Sequence, residues 1–152
     1  MPLVSWGANS SGQLGRGTVS EAEFEAKQVV GGDGVTRVVG GGAHTLATTL
    51  SGGLLAWGSN NVGQLGLGGD GDMLVPTSVP LPQGLVVADM AAGWDFSVLV
   101  DTEGNVWTCG SNAWSQLGGG VRSDESEAKH VFSQNLFSEK ICVTDGIALT
   151  DN

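Results

Sequence analysis

Basic side chains are scarce. The 152 residues hold 6 Lys and Arg against 16 Asp and Glu, a formal net charge of −10. Phosphate binding needs a basic surface, so this balance speaks against a nucleic-acid partner and against anionic membranes. It suits a soluble protein whose partner carries a basic patch. Long apolar runs are missing too, and none reaches the roughly 18 residues that cross a bilayer. No charged segment leading into an apolar stretch opens the chain, so secretion is not expected. The cysteines, Cys109 and Cys142, are too few for a disulfide framework or a metal site, and a reduced compartment, cytoplasmic and in second place nuclear, fits them. His44 and His130 are the only histidines. No Ser/His/Asp or Cys/His set recurs with usable spacing, so no catalytic residue, metal or cofactor is expected. Helical signal is thin: Val19 to Gln28 reads as two helical turns or as a solvated acidic loop.

What is present is glycine, 26 residues of it, and one phrase written three times. It runs Trp6-Gly7-Ala-Asn-Ser-Ser-Gly12-Gln13-Leu14-Gly15, then Trp57-Gly58-Ser-Asn-Asn-Val-Gly63-Gln64-Leu65-Gly66, then Cys109-Gly110-Ser-Asn-Ala-Trp-Ser-Gln116-Leu117-Gly118. A self-similar period near 50 residues marks a repeat architecture, in which one unit cannot bury its own core. Residues that recur are therefore read first as structure, and function is sought in what does not recur. The Trp fills the gap between neighbouring units, and the Gly beside it permits close backbone approach or a left-handed conformation. The Leu anchors a loop, the Gln bonds backbone, and Cys109, where two copies carry Trp, reads as a buried core residue.

A second phrase alternates with the first. Gly41-Gly-Ala-His44 leads to the turn residue Gly52, and Gly93-Trp94-Asp95-Phe96 leads to Gly104. Phe96 takes the place of His44, which marks that position as packing rather than catalysis. A third copy is visible at Ile147 to Asn152; the Gly and His positions expected before it hold Cys142 and Asp145, so this copy is degenerate or differently processed. Each unit reads as four antiparallel strands. In the best-defined unit they are Leu85–Ala92, Phe96–Val100, Val106–Cys109 and a weak edge strand near Lys129–Phe132; Pro76–Val79 is the edge strand of the unit before. The fold class is all-β, one domain over residues 1–152, with units at about 1–55, 56–107 and 108–152.

The joint pattern W-G-x-N-x-x-G-Q-L-G with G-x-x-H-[ST]-L-A resembles the regulator of chromosome condensation repeat family. Within it, the wording is most similar to exchange factors of the secretory system. The resemblance implies a seven-bladed β-propeller. It implies a guanine nucleotide exchange factor or regulator of a small GTPase, working by protein–protein binding, with vesicle-tethering (exocyst-type) proteins as further partners. An interaction scaffold without exchange activity, or a non-functional truncated fragment, is the alternative. Seven blades need about 350 residues and the chain holds fewer than three, so part of a longer propeller is expected; a ring completed by self-association is the second expectation.

The glycine runs 31–34, 40–42 and 66–71 lack the Gly-x-x-x-x-Gly-Lys-[Ser/Thr] spacing of a phosphate cradle and read as turns. Asp70 and Asp72 lie in a segment too short for a calcium loop. Asp101 and Glu103 flank a turn and read as solvated. Trp94 and Asp95 are the candidate partner contacts, since an exposed Trp is a common interface anchor. The loops after each Gln-Leu-Gly differ between copies and are the second place for binding specificity.

Overall fold

The computed structural model describes residues 2–118, 129–135, 141–144 and 147–150, and among these every regular element is a strand. They run β1 (Val4–Ala8), β2 (Ala22–Gln28), β3 (Val35–Gly40), β4 (His44–Thr49), β5 (Leu54–Gly58), β6 (Met73–Ser78), β7 (Val87–Ala92), β8 (Phe96–Asp101), β9 (Val106–Gly110), β10 (Lys129–Asn135), β11 (Ile141–Thr144) and β12 (Ile147–Thr150). Two complete sheets, β3-β4-β5-β6 and β7-β8-β9-β10, are antiparallel meanders in chain order. β1-β2 and β11-β12 form two-stranded sheets.

Antiparallel sheets often keep one wet face, which leaves alternate residues exposed. The middle strands here do not: β5, β8 and β9 are buried at almost every position, because each complete sheet is covered on both faces. Leu46, Leu54, Ala56, Leu65 and Val79 from the first complete sheet and its flanking loops form one core with Met90, Leu99, Cys109 and Phe132 from the second. Val29, Ala47 and Trp57 form another core, between β1-β2 and the first complete sheet. The first strands converge: β7 meets β3 and β4, and Arg37 on β3 forms an ion pair with Asp89 on β7. Face-packed meanders whose first strands gather on one side are a propeller's blades. β11 pairs with β12 as β3 pairs with β4.

Two expectations are corrected. Residues 22–28 are neither helix nor loop but the strand β2, paired with β1 from Val4↔Gln28 to Ala8↔Ala22. The Arg16 guanidinium holds this pair together, donating to the Ser5 and Glu25 carbonyls and lying 3.5 Å from Glu23. Asp101 is not solvated. Its carboxylate is buried and accepts bonds from the backbone N–H groups of Glu103 and Asn105, from Asn105 Nδ2 and from Trp107 Nε1. Burial raises its pKa, but the bonds from Trp107, Asn105 and Glu103 outweigh this and hold it below the usual value. Among the described residues no helix is long and apolar enough to cross a membrane.

Candidate protein-binding face

The strand register decides which loops share a face. His44 pairs with Gly58 and Phe96 with Gly110, so the loop entering the second strand and the loop leaving the third lie at the same end of each sheet. Residues 41–43 and 93–95 therefore emerge beside the loops 59–72 and 111–118. The turns at 50–53 and 102–105 lie at the opposite end.

Each recurring loop is locked by its own side chains. The carboxamide oxygens of Asn9, Asn60 and Asn112 accept from the N–H groups of Leu14, Leu65 and Leu117. The side-chain oxygens of Gln13, Gln64 and Gln116 accept from Ser11, Val62 and Trp114 two residues earlier. The Leu side chains point into the core. The three asparagines were legible as recurring letters but carry more of the loop geometry than the sequence reading assigned them. Gly12 and Gly63 sit at φ 73° and 80°, and Ser115 occupies the matching position at φ 60°. A side chain is strained there, so Ser115→Gly is expected to stabilise the protein by about 0.5–1 kcal/mol, read from the urea midpoint.

The loops also fasten one sheet to the next. The Gln13 carbonyl accepts from Trp57 Nε1 at 2.8 Å and from Thr45 Oγ1 at 3.0 Å. One unit on, the Gln64 carbonyl accepts from Ser97 Oγ at 2.6 Å and from Cys109 Sγ at 3.5 Å. Trp57 is 2% exposed, while Trp6, at the corresponding place on β1, is 63% exposed. Gly7, Gly58 and Gly110 share a left-handed φ of 105°, 97° and 104°. At Gly58 a Cβ would also stand 2.5 Å from the Ala43 carbonyl oxygen. Gly58→Ala is therefore expected to cost about 2–3 kcal/mol, measurable by thermal or urea unfolding. Gly15, Gly66 and Gly118 close the loops at φ 69°, 70° and 72°, while Gly52 and Gly104 supply φ 81° and 87° in the opposite turns.

His44 is a packing residue with one polar tie. Its ring is buried, and Gly41 lies so close that no Cβ would fit; Gly93 stands under Phe96 in the same way. His44 Nε2 lies 2.8 Å from Ser97 Oγ. The Ser97 hydroxyl proton goes to the Gln64 carbonyl, so Nε2 must be the donor, and the neutral tautomer leaves Nδ1 as an acceptor. Nδ1 is buried with no hydrogen-bond partner. Burial lowers the His44 pKa to about 4, against a smaller opposing pull from the Phe96 backbone. Burial pushes the Cys109 thiol up, so it stays protonated.

Two tryptophans that do not recur stand out at the loop face. Trp94 is 81% exposed and Trp114 is 88% exposed. Trp94 accepts the Gly42 N–H at its carbonyl, at 2.9 Å, and its ring lies over Gly42. Gly40, Gly41, Gly42, Ala92, Gly93 and Phe96 join it around an open groove of about 480 Å³. Asp95, half-buried, accepts the Ser111 N–H at its carbonyl, at 2.9 Å, and so ties the Trp94 loop to the loop that carries Trp114. Trp114 was missed in the sequence because it lies inside a recurring phrase, although neither other copy has an aromatic there. Among the described residues no group of three His, Cys, Asp or Glu could hold a metal ion.

The family model described as Regulator of chromosome condensation (RCC1) repeat matches residues 3–48 and 51–100, and a second model of the same repeat matches 35–64. Bos taurus secretion-regulating guanine nucleotide exchange factor is 40% identical over 119 residues, which are 76% of this chain and 25% of that protein. Homo sapiens "Probable E3 ubiquitin-protein ligase HERC3" is 35% identical over 131 residues, covering 85% of this chain and 12% of that protein. The chain thus spans a quarter or less of the length of these relatives. Prp20p from Saccharomyces cerevisiae, crystallised in work on its binding to Gsp1p and histones, superposes with a TM-score of 0.77. It is 22% identical and covers 88% of this chain and 34% of that one.

Proposed function

We propose a function from one premise: this chain belongs to the Regulator of chromosome condensation (RCC1) repeat family. It acts by protein–protein binding, as part of a guanine nucleotide exchange factor or regulator of a small GTPase in secretion, in the cytoplasm and also the nucleus. The observation that carries this reading is the 40% identity to an exchange factor that regulates secretion. The geometry supports it, because the side chains that recur lock loops to backbone and sheets to one another, leaving a rigid face on which Trp94, Asp95 and Trp114 are free to meet a partner. Exchange of this kind wedges open a nucleotide site on the partner and needs no acid–base residue of its own.

The test is nucleotide release from a panel of small GTPases, with the longest natural form of the protein as catalyst. Acceleration of one GTPase, reduced at least tenfold by Trp94→Ala, is expected; no acceleration and no binding across the panel would sink the reading. An interaction scaffold without exchange activity is the second reading, favoured by the same repeats at 35% identity in a protein named for ubiquitin ligation. Recovery of vesicle-tethering proteins without any GTPase in a pull-down would select it.

A further inference from the structure

We infer that Trp94, Asp95 and Trp114 form a single docking edge for a cationic segment, an arginine- or lysine-bearing stretch of the protein partner. The inference rests on the reading of this face as the partner-binding one and adds what the partner must bring.

Three observations converge. Among the described residues Trp94 and Trp114 are the two exposed aromatic rings of the loop face, and neither has a counterpart in the other copies. Large exposed rings that pack no core are anchors waiting for a surface. The Trp94 ring lies on Gly42, and the Trp114 backbone N–H, bonded to Gln116 Oε1 at 2.8 Å, fixes the loop that presents the second ring. A bound side chain would therefore meet a positioned ring at Trp94 and a second ring on a fixed loop at Trp114.

Charge then chooses among occupants. The described basic side chains are all engaged within the chain, Arg16 with Glu23, Lys27 with Glu25 and Arg37 with Asp89. Among the described residues no ion pair reaches the Asp95 carboxylate, and the backbone carbonyl of Asp95 carries the hydrogen-bonded link between the two loops. Asp70 and Asp72 add negative charge to the neighbouring loop at the same end. Exposed aromatic rings on a loop face that carries Asp95, in a chain of net charge −10, attract a guanidinium or ammonium group twice over: by the ring quadrupole and by the acidic charge. An acidic peptide, a nucleic acid or an anionic membrane meets repulsion here.

The experiment uses the full chain and a fluorescein-labelled peptide of three arginines separated by glycines, titrated at 150 mM salt. Saturable binding is expected, with quenching of tryptophan emission. Trp94→Ala, Trp114→Ala and Asp95→Asn should each weaken it by about three- to thirtyfold. Trp94→Phe, which keeps a ring, should retain most of the binding. Glu25→Gln and Asp33→Asn, which remove charge elsewhere, should change it less than twofold. Equal binding by all variants, an equal loss in the Glu25 and Asp33 controls, or preferential binding of a triglutamate peptide or phosphatidylserine vesicles would overturn the inference. Its failure is separable from that of the exchange reading. If nucleotide release is sensitive to Trp94→Ala but the arginine peptide is ignored, the face stands and its cationic occupant falls. If the peptide binds with the expected variant pattern and no GTPase responds, the exchange reading falls alone.

Discussion

His44→Phe is expected to hold its stability between pH 6.5 and pH 4, where the parent protein loses up to about 3 kcal/mol. The sign follows from the two states. In the folded protein, burial lowers the His44 pKa from 6.5 to about 4. The unfolded chain therefore binds a proton near pH 6.5 that the folded chain refuses until about pH 4. The folded state is at full advantage above pH 6.5, and stability falls with each step toward acid until the folded pKa is reached. Phenylalanine cannot take that proton. It also suits the site, because Phe96 occupies the corresponding position one sheet on, over Gly93 as His44 lies over Gly41. Ser97 keeps its bond to the Gln64 carbonyl without the imidazole, and the unpartnered Nδ1 disappears. At neutral pH the variant should lie within about 1 kcal/mol of the parent, since an unpaired buried acceptor costs about what the lost bond to Ser97 contributed. His44→Ala, which leaves a cavity between two sheets, should cost about 3 kcal/mol at neutral pH and, lacking the imidazole as well, should lie about that far below His44→Phe at every pH. Urea unfolding of the three proteins from pH 8 to pH 4 reads all of this. A parallel loss of stability in parent and His44→Phe would remove His44 as the cause. Below pH 4 the comparison changes character. There Asp101, whose hydrogen bonds hold its pKa below the ordinary value, begins to be protonated and its stabilising contribution is lost as pH falls further.

The scaffold was legible in the sequence where one repeat could be read against another. The recurrence of Trp-Gly and Gln-Leu-Gly pointed to the propeller before any coordinate, and the exchange of His44 for Phe96 marked a packing site. What stayed hidden depends on partners distant in the chain. β2 lacks enough apolar alternation to be read as a strand, because most of its side chains face solvent and its stability comes from pairing with β1. Asp101 looked solvated because a turn normally is, yet Trp107 folds back on it from the next strand. Trp114 was masked by the regularity around it. The asparagines of the loops recurred in plain view, but which N–H each one captures required the folded loop.

A compensating pair makes the last prediction. By strand register Phe132 on β10 stands where Pro76 stands on β6, since Thr108 pairs with Ser133 as Ala56 pairs with Thr77. At the first junction Gly15 packs beneath the Trp57 indole, Val29 and Pro76. At the second, Gly66 packs beneath Phe132, with Cys109 alongside. The bulk that Trp57 supplies from the third strand is thus supplied from the fourth by Phe132, over a Cys. Trp57→Cys alone should cost about 3–5 kcal/mol, for the emptied volume and the lost bond to the Gln13 carbonyl. Pro76→Phe alone should cost about 1–3 kcal/mol, because its ring enters space already filled by the indole. The double variant recreates the second junction inside the first and should lose far less than the sum, with a coupling of about 1–3 kcal/mol in its favour. A double-mutant cycle by urea unfolding decides it. Strict additivity would mean that the two junctions are filled independently of each other's solution. A favourable coupling would mean that each junction is specified by total volume, with the choice of strand left free. That freedom explains how Cys109 can stand in a tryptophan's place without opening the interface between sheets.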